Sequence, residues 1–154
     1  MEGHLGAFQL SLRAALAAGL AVAVAALLHL QHPVFALISA VLVTDLAPSR
    51  TRALAVPRFA GTALGTLLGA CLAAWTPHGP WLPVVGVFAG MFLSYLLRLR
   101  GSARLAGYMC AIVVVNVGQD PWAHALHRMF ETVLGIGAAL LVSLMPTLLR
   151  RSDG

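Results

Sequence analysis

Lysine is absent, cysteine occurs twice, and only five acidic residues are spread over 154 positions. Charged side chains make up 10% of the chain, too few to clothe a soluble domain of this length, so lipid has to be its solvent. No hydrophilic stretch is long enough for a soluble module, which leaves one membrane domain over residues 1–154. Cys71 and Cys110 both lie in apolar runs, where they read as inert small hydrophobes and say nothing of compartment. Also missing are a nucleophile–base constellation, a phosphate loop and a nucleotide motif, so neither enzyme activity nor a cofactor is expected. The sequence pI near 10.6 is no sign of nucleic-acid binding. All ten basic residues are arginine, and nine of them fall at the termini or in alternate connections.

What is present is apolar: 60% of residues are hydrophobic and the mean hydropathy is +0.89. Six segments stand out, at about 12–30, 33–47, 53–76, 81–97, 104–118 and 121–146. A helix needs roughly twenty apolar residues to cross the hydrocarbon. The first, third and sixth segments satisfy this and the fourth is close. The run from Ala14 to Leu30 contains A-x-A triplets like a signal peptide, but it is longer than an h-region and more spans follow, so it reads as a retained helix. The second and fifth segments are short and occupy corresponding places, which points to a binding site in a repeated transporter. Tilted or extended helices are the alternative reading.

Residues 53–65, ALAVPRFAGTALG, and residues 123–135, AHALHRMFETVLG, match at six of thirteen positions, including Arg58/Arg128, Thr62/Thr132 and Gly65/Gly135. Each copy opens the third segment of a set of three. A unit of three crossings used twice enters the second time from the opposite side. The expected fold is an all-α integral membrane protein of six transmembrane helices, built as a 3+3 inverted-topology repeat, with repeat one at about 12–76 and repeat two at about 81–146.

Arginine placement sets the orientation. Arg13 precedes the first span, Arg50, Arg52 and Arg58 lie between the second and third, Arg98, Arg100 and Arg104 between the fourth and fifth, and Arg150 and Arg151 after the sixth. The other connections carry no basic residue until Arg128. The positive-inside rule therefore puts both termini in the cytoplasm, and Trp75, Trp81 and Trp122 at the opposite interface. Asp120-Pro121 reads as an N-cap and first-turn pair for a sixth helix running to Met145, about 37 Å long at 1.5 Å per residue. Pro146 and the final arginine pair close that helix.

Arg58, Thr62 and Gly65 are spaced i, i+4, i+7 and share a helix face, as do Arg128, Thr132 and Gly135. An arginine within the membrane faces protein, water or a partner charge, and its planar fork suits a carboxylate. These four residues, Arg58, Thr62, Arg128 and Thr132, are the candidate anion-binding positions. Snorkelling of each arginine to headgroups is the other reading. Glu131 stands at i+3 from Arg128 and pairs with it, either neutralising it or latching it until a proton arrives. Asp45 lies near Arg50 and Arg52, where an interfacial salt bridge or a proton-coupling role is open. Gly61, Gly65 and Gly69 form a ladder for close helix approach, repeated by Gly86/Gly90 and by Gly135 on the sixth segment, within one chain or between subunits. Five histidines, His29, His32, His78, His124 and His127, fall on the outer side as interfacial, pH-sensing or metal-binding residues, with no Cys or carboxylate ligand framing them apart from nearby Asp120.

The stretch LHLQHPVFALISAVLVTDLAPSRTRALAVPRFAGTALGTLLGA, with its R-x-x-G-T-x-x-G helix, and the later RMFETVLGIGAALLVSL, with R-x-x-E-T-x-x-G, resemble the fusaric acid resistance or aromatic acid exporter membrane domain over about residues 10–146. The resemblance implies a six-helix unit that exports aromatic or other organic carboxylates across the bacterial inner membrane with proton coupling. Plant aluminium-activated malate channels look like distant relatives, as dimers whose arginines line an anion path, so a homo-oligomer, favourably a dimer, is expected. By that analogy Arg58 and Arg128 contact the anion, with Thr62 and Thr132 beside them. The sequence differs from the family's common pattern in having a single six-helix unit and no soluble domain. A passive anion channel, or a membrane scaffold docking a partner on the glycine ladder, are the competing functions.

Overall fold

Every regular element among the described residues, 2–30, 33–77, 79–116 and 120–145, is helical in the computed structural model. The order is α1 (Glu2–Leu27), α2 (Pro33–Val43), α3 (Pro48–Trp75), α4 (Leu82–Leu96), a short 3-10 turn (Arg100–Ser102), α5 (Ala103–Val115) and α6 (Pro121–Ser143). Three helices begin on proline, whose fixed φ and missing N–H suit a first helical position. Three helices, α1, α3 and α6, are long and apolar enough to cross a membrane, while α2 and α4 are shorter apolar helices.

The boundaries depart from the hydropathy pattern in one systematic way. α1 starts at Glu2 and α3 at Pro48, well before the apolar runs at 12 and 53, so Arg13, Arg50 and Arg52 are helical rather than in connections. Hydropathy reports where hydrocarbon is met, whereas a helix continues into a polar interface as long as its own hydrogen bonds are satisfied. Pro146, Arg150, Arg151, His32 and His78 lie outside the described residues.

α1 and α4 end alike. His29 (φ 52°) and Arg98 (φ 59°) adopt the left-handed conformation without being glycine. The Leu30 amide donates to the Ala25 carbonyl and the His29 amide to that of Ala26, while Leu99 donates to Ser94 and Arg98 to Tyr95. These are Schellman closures, which satisfy the orphan carbonyls of a helix end.

The chain packs as two compact units, Met1–Ala55 with Val133–Gly154, and Val56–Thr132. In the first, α1 packs on α2, and Ala17, Ala21, Ala36, Ala40 and Ala139 are fully buried. Gly135 of α6 meets α2 so closely that a Cβ there would overlap the Ala36 carbonyl oxygen and lie 2.8 Å from the Ser39 Cβ. In the second unit α4 packs on α5. A Cβ on Gly65 of α3 would overlap the Ala106 carbonyl oxygen of α5 and lie 2.8 Å from the Met109 Cβ. The residues of these two contacts, Gly65/Gly135, Ala106/Ala36 and Met109/Ser39, are each seventy positions apart.

The distribution of side chains is the reverse of a water-soluble fold. Alanine, glycine, serine and threonine fill the interior, and Val56, Phe88, Phe130 and Leu141 point outward. Without a hydrophobic drive between helices, close contact of small residues supplies the cohesion and large apolar groups face lipid.

Candidate functional site

The residues singled out on α3 and α6 converge with α5 in the second unit. Pro57 removes one backbone donor from α3 directly before Arg58, and its ring lies 3.7 Å from where a Cβ on Gly101 of the 3-10 turn would stand. Arg58 is 5% exposed, and its Nη1 donates to the Tyr108 hydroxyl of α5 at 2.5 Å. One turn on, Thr62 is buried, and its carbonyl accepts from the Thr66 hydroxyl at 2.7 Å. Gly61, Gly65 and Gly69 let α5 sit directly on this face, against Leu105, Ala106 and Val113. The glycine ladder is therefore filled within the chain.

On α6 the Asp120 carboxylate accepts from the amides of Trp122 and Ala123 at 3.0 and 3.2 Å, the N-cap expected from Asp120-Pro121. That start sets the register of the face that follows. Arg128, 3% exposed, donates from Nη1 to Glu131 Oε2 at 2.9 Å, and Glu131 is wholly buried. Arg128 Nε also donates to His124 Nε2 at 3.4 Å, which places the lone pair of that imidazole toward the guanidinium. The Thr132 hydroxyl meets that of Thr62 at 3.5 Å, so two positions seventy apart in sequence touch.

Arg58, Thr62, Arg128, Glu131 and Thr132 are thus all buried in one unit. Snorkelling is inconsistent with such burial of both arginines. Among the described residues, two guanidiniums and one carboxylate are the buried side chains of this unit that carry a formal charge, and they sum to one positive unit. The two arginines differ in their partners for a steric reason. The position of Arg58 that corresponds to Glu131 is Gly61, and a Cβ there would lie 2.8 Å from the Leu105 side chain. No carboxylate fits at that position, and Arg58 bonds a phenol from α5.

One expectation is corrected. Asp45 makes no ion pair among the described residues. Its carboxylate accepts from the Ala47 amide at 3.2 Å while the Thr51 hydroxyl accepts from the Asp45 amide at 3.1 Å, a local turn that starts α3. An Asp before a turn satisfies a nearby amide more readily than it reaches a flexible surface arginine. Arg13, which the sequence reading places ahead of the first span, is buried. It is 5% exposed in the first unit and donates to the Leu46 and Met145 carbonyls at 2.9 and 3.0 Å, collecting the C-terminal ends of α2 and α6.

Tyr108 and His124 are the polar partners that sequence spacing did not identify. Tyr108 is fifty residues from Arg58, and its one sequence signal is a hydroxyl in the otherwise apolar run LAGYMCAIVVV. His29 takes the helix-closing role described above, and His127 bonds the Ala123 carbonyl at 2.7 Å through Nδ1.

A family model described as fusaric acid resistance protein-like matches residues 20–142, a range that includes every residue of this site. No curated protein and no solved structure matches the chain.

Proposed function

The chain belongs to the fusaric acid resistance protein-like family, and on that footing we propose that it is a membrane transporter exporting organic anions such as aromatic carboxylates. The observation that carries this is the charge balance of Arg58, Arg128 and Glu131, all buried and summing to one positive unit. Buried guanidiniums are costly in a low-dielectric interior, and their planar forks suit a carboxylate. The two threonine hydroxyls, Thr62 and Thr132, add neutral donors beside the guanidiniums. Nothing in this role requires a catalytic group, and the family is one of transport and resistance rather than enzymes.

The six helices act as six crossings of a 3+3 inverted repeat. This reading is supported by the glycine contacts that recur with an offset of seventy, and by the matching closures of α1 and α4. Both termini lie in the cytoplasm of a bacterial cell, with the arginine-bearing connections. The bonds from Arg13 to Leu46 and Met145 favour this, because they hold the α2–α3 connection and the end of α6 together. Glu131 is the coupling group. Protonation discharges its ion pair and turns Arg128 toward the anion, whereas Asp45 gates, if at all, through the turn that starts α3. Six short helices enclose little space, so the working form is a homo-oligomer, a dimer in the simplest case. The packing of α5 on the glycine ladder, the face a scaffold role would use, favours transport over a scaffold.

Flux of aromatic and aliphatic carboxylates into proteoliposomes, with and without a pH gradient, tests this. The expected result is saturable, gradient-dependent flux that is lost in Arg58→Gln and in Arg128→Gln. Flux of the same anions indifferent to the gradient identifies a passive channel, and folded protein with no flux for any anion overturns the transport reading.

A further inference from the structure

We propose that the outer face of α4 and the turn after it bind an anionic phospholipid, with an acyl chain along the groove from Val84 to Tyr95 and the headgroup phosphate on Arg98, Arg100 and Arg104. This site uses neither of the buried arginines, and it fills whether or not the chain transports anions. α4 carries two stripes. Leu82, Gly86, Gly90 and Ser94 are buried, and Gly86 and Gly90 lie against Cys110 and Ala106 of α5. Val84, Val87, Phe88, Met91, Phe92 and Tyr95 instead line an open apolar groove of about 600 Å³, a volume in the range of small-molecule sites. Its wall is preformed. The rings of Phe88 and Phe92 stack with centroids 5.8 Å apart and planes 5° from parallel. Met91 is backed by Gly107 of α5, where a Cβ would lie 2.8 Å from the Met91 Cγ. From Val84 to Tyr95 the helix rises about 16 Å, close to the depth of one leaflet of a hydrocarbon core about 30 Å thick.

The groove ends on charge. Tyr95 brings an aromatic ring and a hydroxyl, the combination that suits a membrane interface. Arg98, Arg100 and Arg104 follow it closely, and all three are exposed. No acidic residue occurs between Asp45 and Asp120, and among the described residues none of these three arginines takes part in an ion pair. The backbone that carries them is fixed. Arg98 closes α4 in the left-handed conformation, and the Ser102 amide donates to the Leu99 carbonyl at 2.9 Å in the 3-10 turn that leads into α5. Guanidinium forks suit phosphate oxygens, and a basic cluster at the membrane surface attracts acidic headgroups. A zwitterionic headgroup gains less from the same cluster. A walled apolar groove that runs into this cluster therefore selects a lipid by both of its parts.

Native mass spectrometry of the delipidated, intact chain in detergent tests this, with phosphatidylglycerol, phosphatidylcholine and glycerol phosphate as probes. Phosphatidylglycerol is expected to bind about tenfold or more tightly than phosphatidylcholine, and glycerol phosphate, which has no chain for the groove, is expected not to be retained. Arg100→Gln with Arg104→Gln should weaken phosphatidylglycerol about tenfold or more. Arg50→Gln with Arg52→Gln, which removes the same charge from the exposed start of α3, should leave its binding unchanged. Arg98 is kept because it closes α4. Equal retention of the two lipids, or equal weakening in the two double variants, overturns the site. So does glycerol phosphate held as tightly as phosphatidylglycerol, which needs no groove, or a dimer that binds no lipid, whose groove a second copy covers. The comparison of lipids on the parent chain needs no variant, so the test stands even where a double variant fails to fold.

Discussion

A buried arginine is tolerated only with its donors engaged, and among the described residues Arg13 bonds backbone carbonyls, Arg58 a phenol, and Arg128 a carboxylate and an imidazole. The pair on α6 is the one whose disruption should be costly. Removing one member of a buried ion pair leaves the other charge without its principal partner, a loss of about 3–5 kcal/mol in soluble proteins. Glu131→Ala should therefore lower stability to reversible denaturation by about 3 kcal/mol or more. The double variant Arg128→Met, Glu131→Leu should recover most of it while abolishing coupling to a proton gradient. Equal stability of Glu131→Ala and the parent protein would show that the carboxylate is solvated in a way its burial does not suggest.

At the scale of helices, the glycines divide by what faces them. Gly65 and Gly135 lie against carbonyl oxygens of α5 and α2, so Gly65→Ala and Gly135→Ala should each destabilise by about 1–3 kcal/mol through enforced separation of helices. Gly137 has nothing within 4 Å, and Gly137→Ala should be neutral or stabilising by up to about 1 kcal/mol. Thermal unfolding in detergent of the three variants side by side checks the order. His29→Val should cost about 1–2 kcal/mol in the same assay, because a β-branched residue resists the left-handed conformation that closes α1. Much of the element pattern was legible in the sequence. Asp120-Pro121 announced the start of α6, and the i, i+4, i+7 spacing put Arg, Thr and Gly on one face of α3 and of α6. The starts of α1 and α3 were not, because charged and polar residues continue a helix past the apolar run. Nor were Tyr108 and Arg13, whose partners lie 50 residues away and at 33 and 132 residues respectively, beyond any local periodicity.

At the scale of the whole molecule, the claims concern sidedness and charge. In a background with Cys71 and Cys110 replaced by alanine, cysteines at the exposed positions Arg50 and Arg100 should label from one side of the membrane, and one at Trp122 from the other. Labelling of all three from the same side would rule out the inverted repeat. The central claim is that the buried positive charge of Arg58, Arg128 and Glu131 exists to hold an anion. Equilibrium binding of benzoate to the protein in nanodiscs, measured for the parent and for the double variant Arg58→Gln, Arg128→Gln, tests that claim most directly. Saturable binding to the parent that weakens as chloride is raised, and is absent from a folded double variant, is the predicted result. Equal binding to both proteins, or none to the parent, would contradict it.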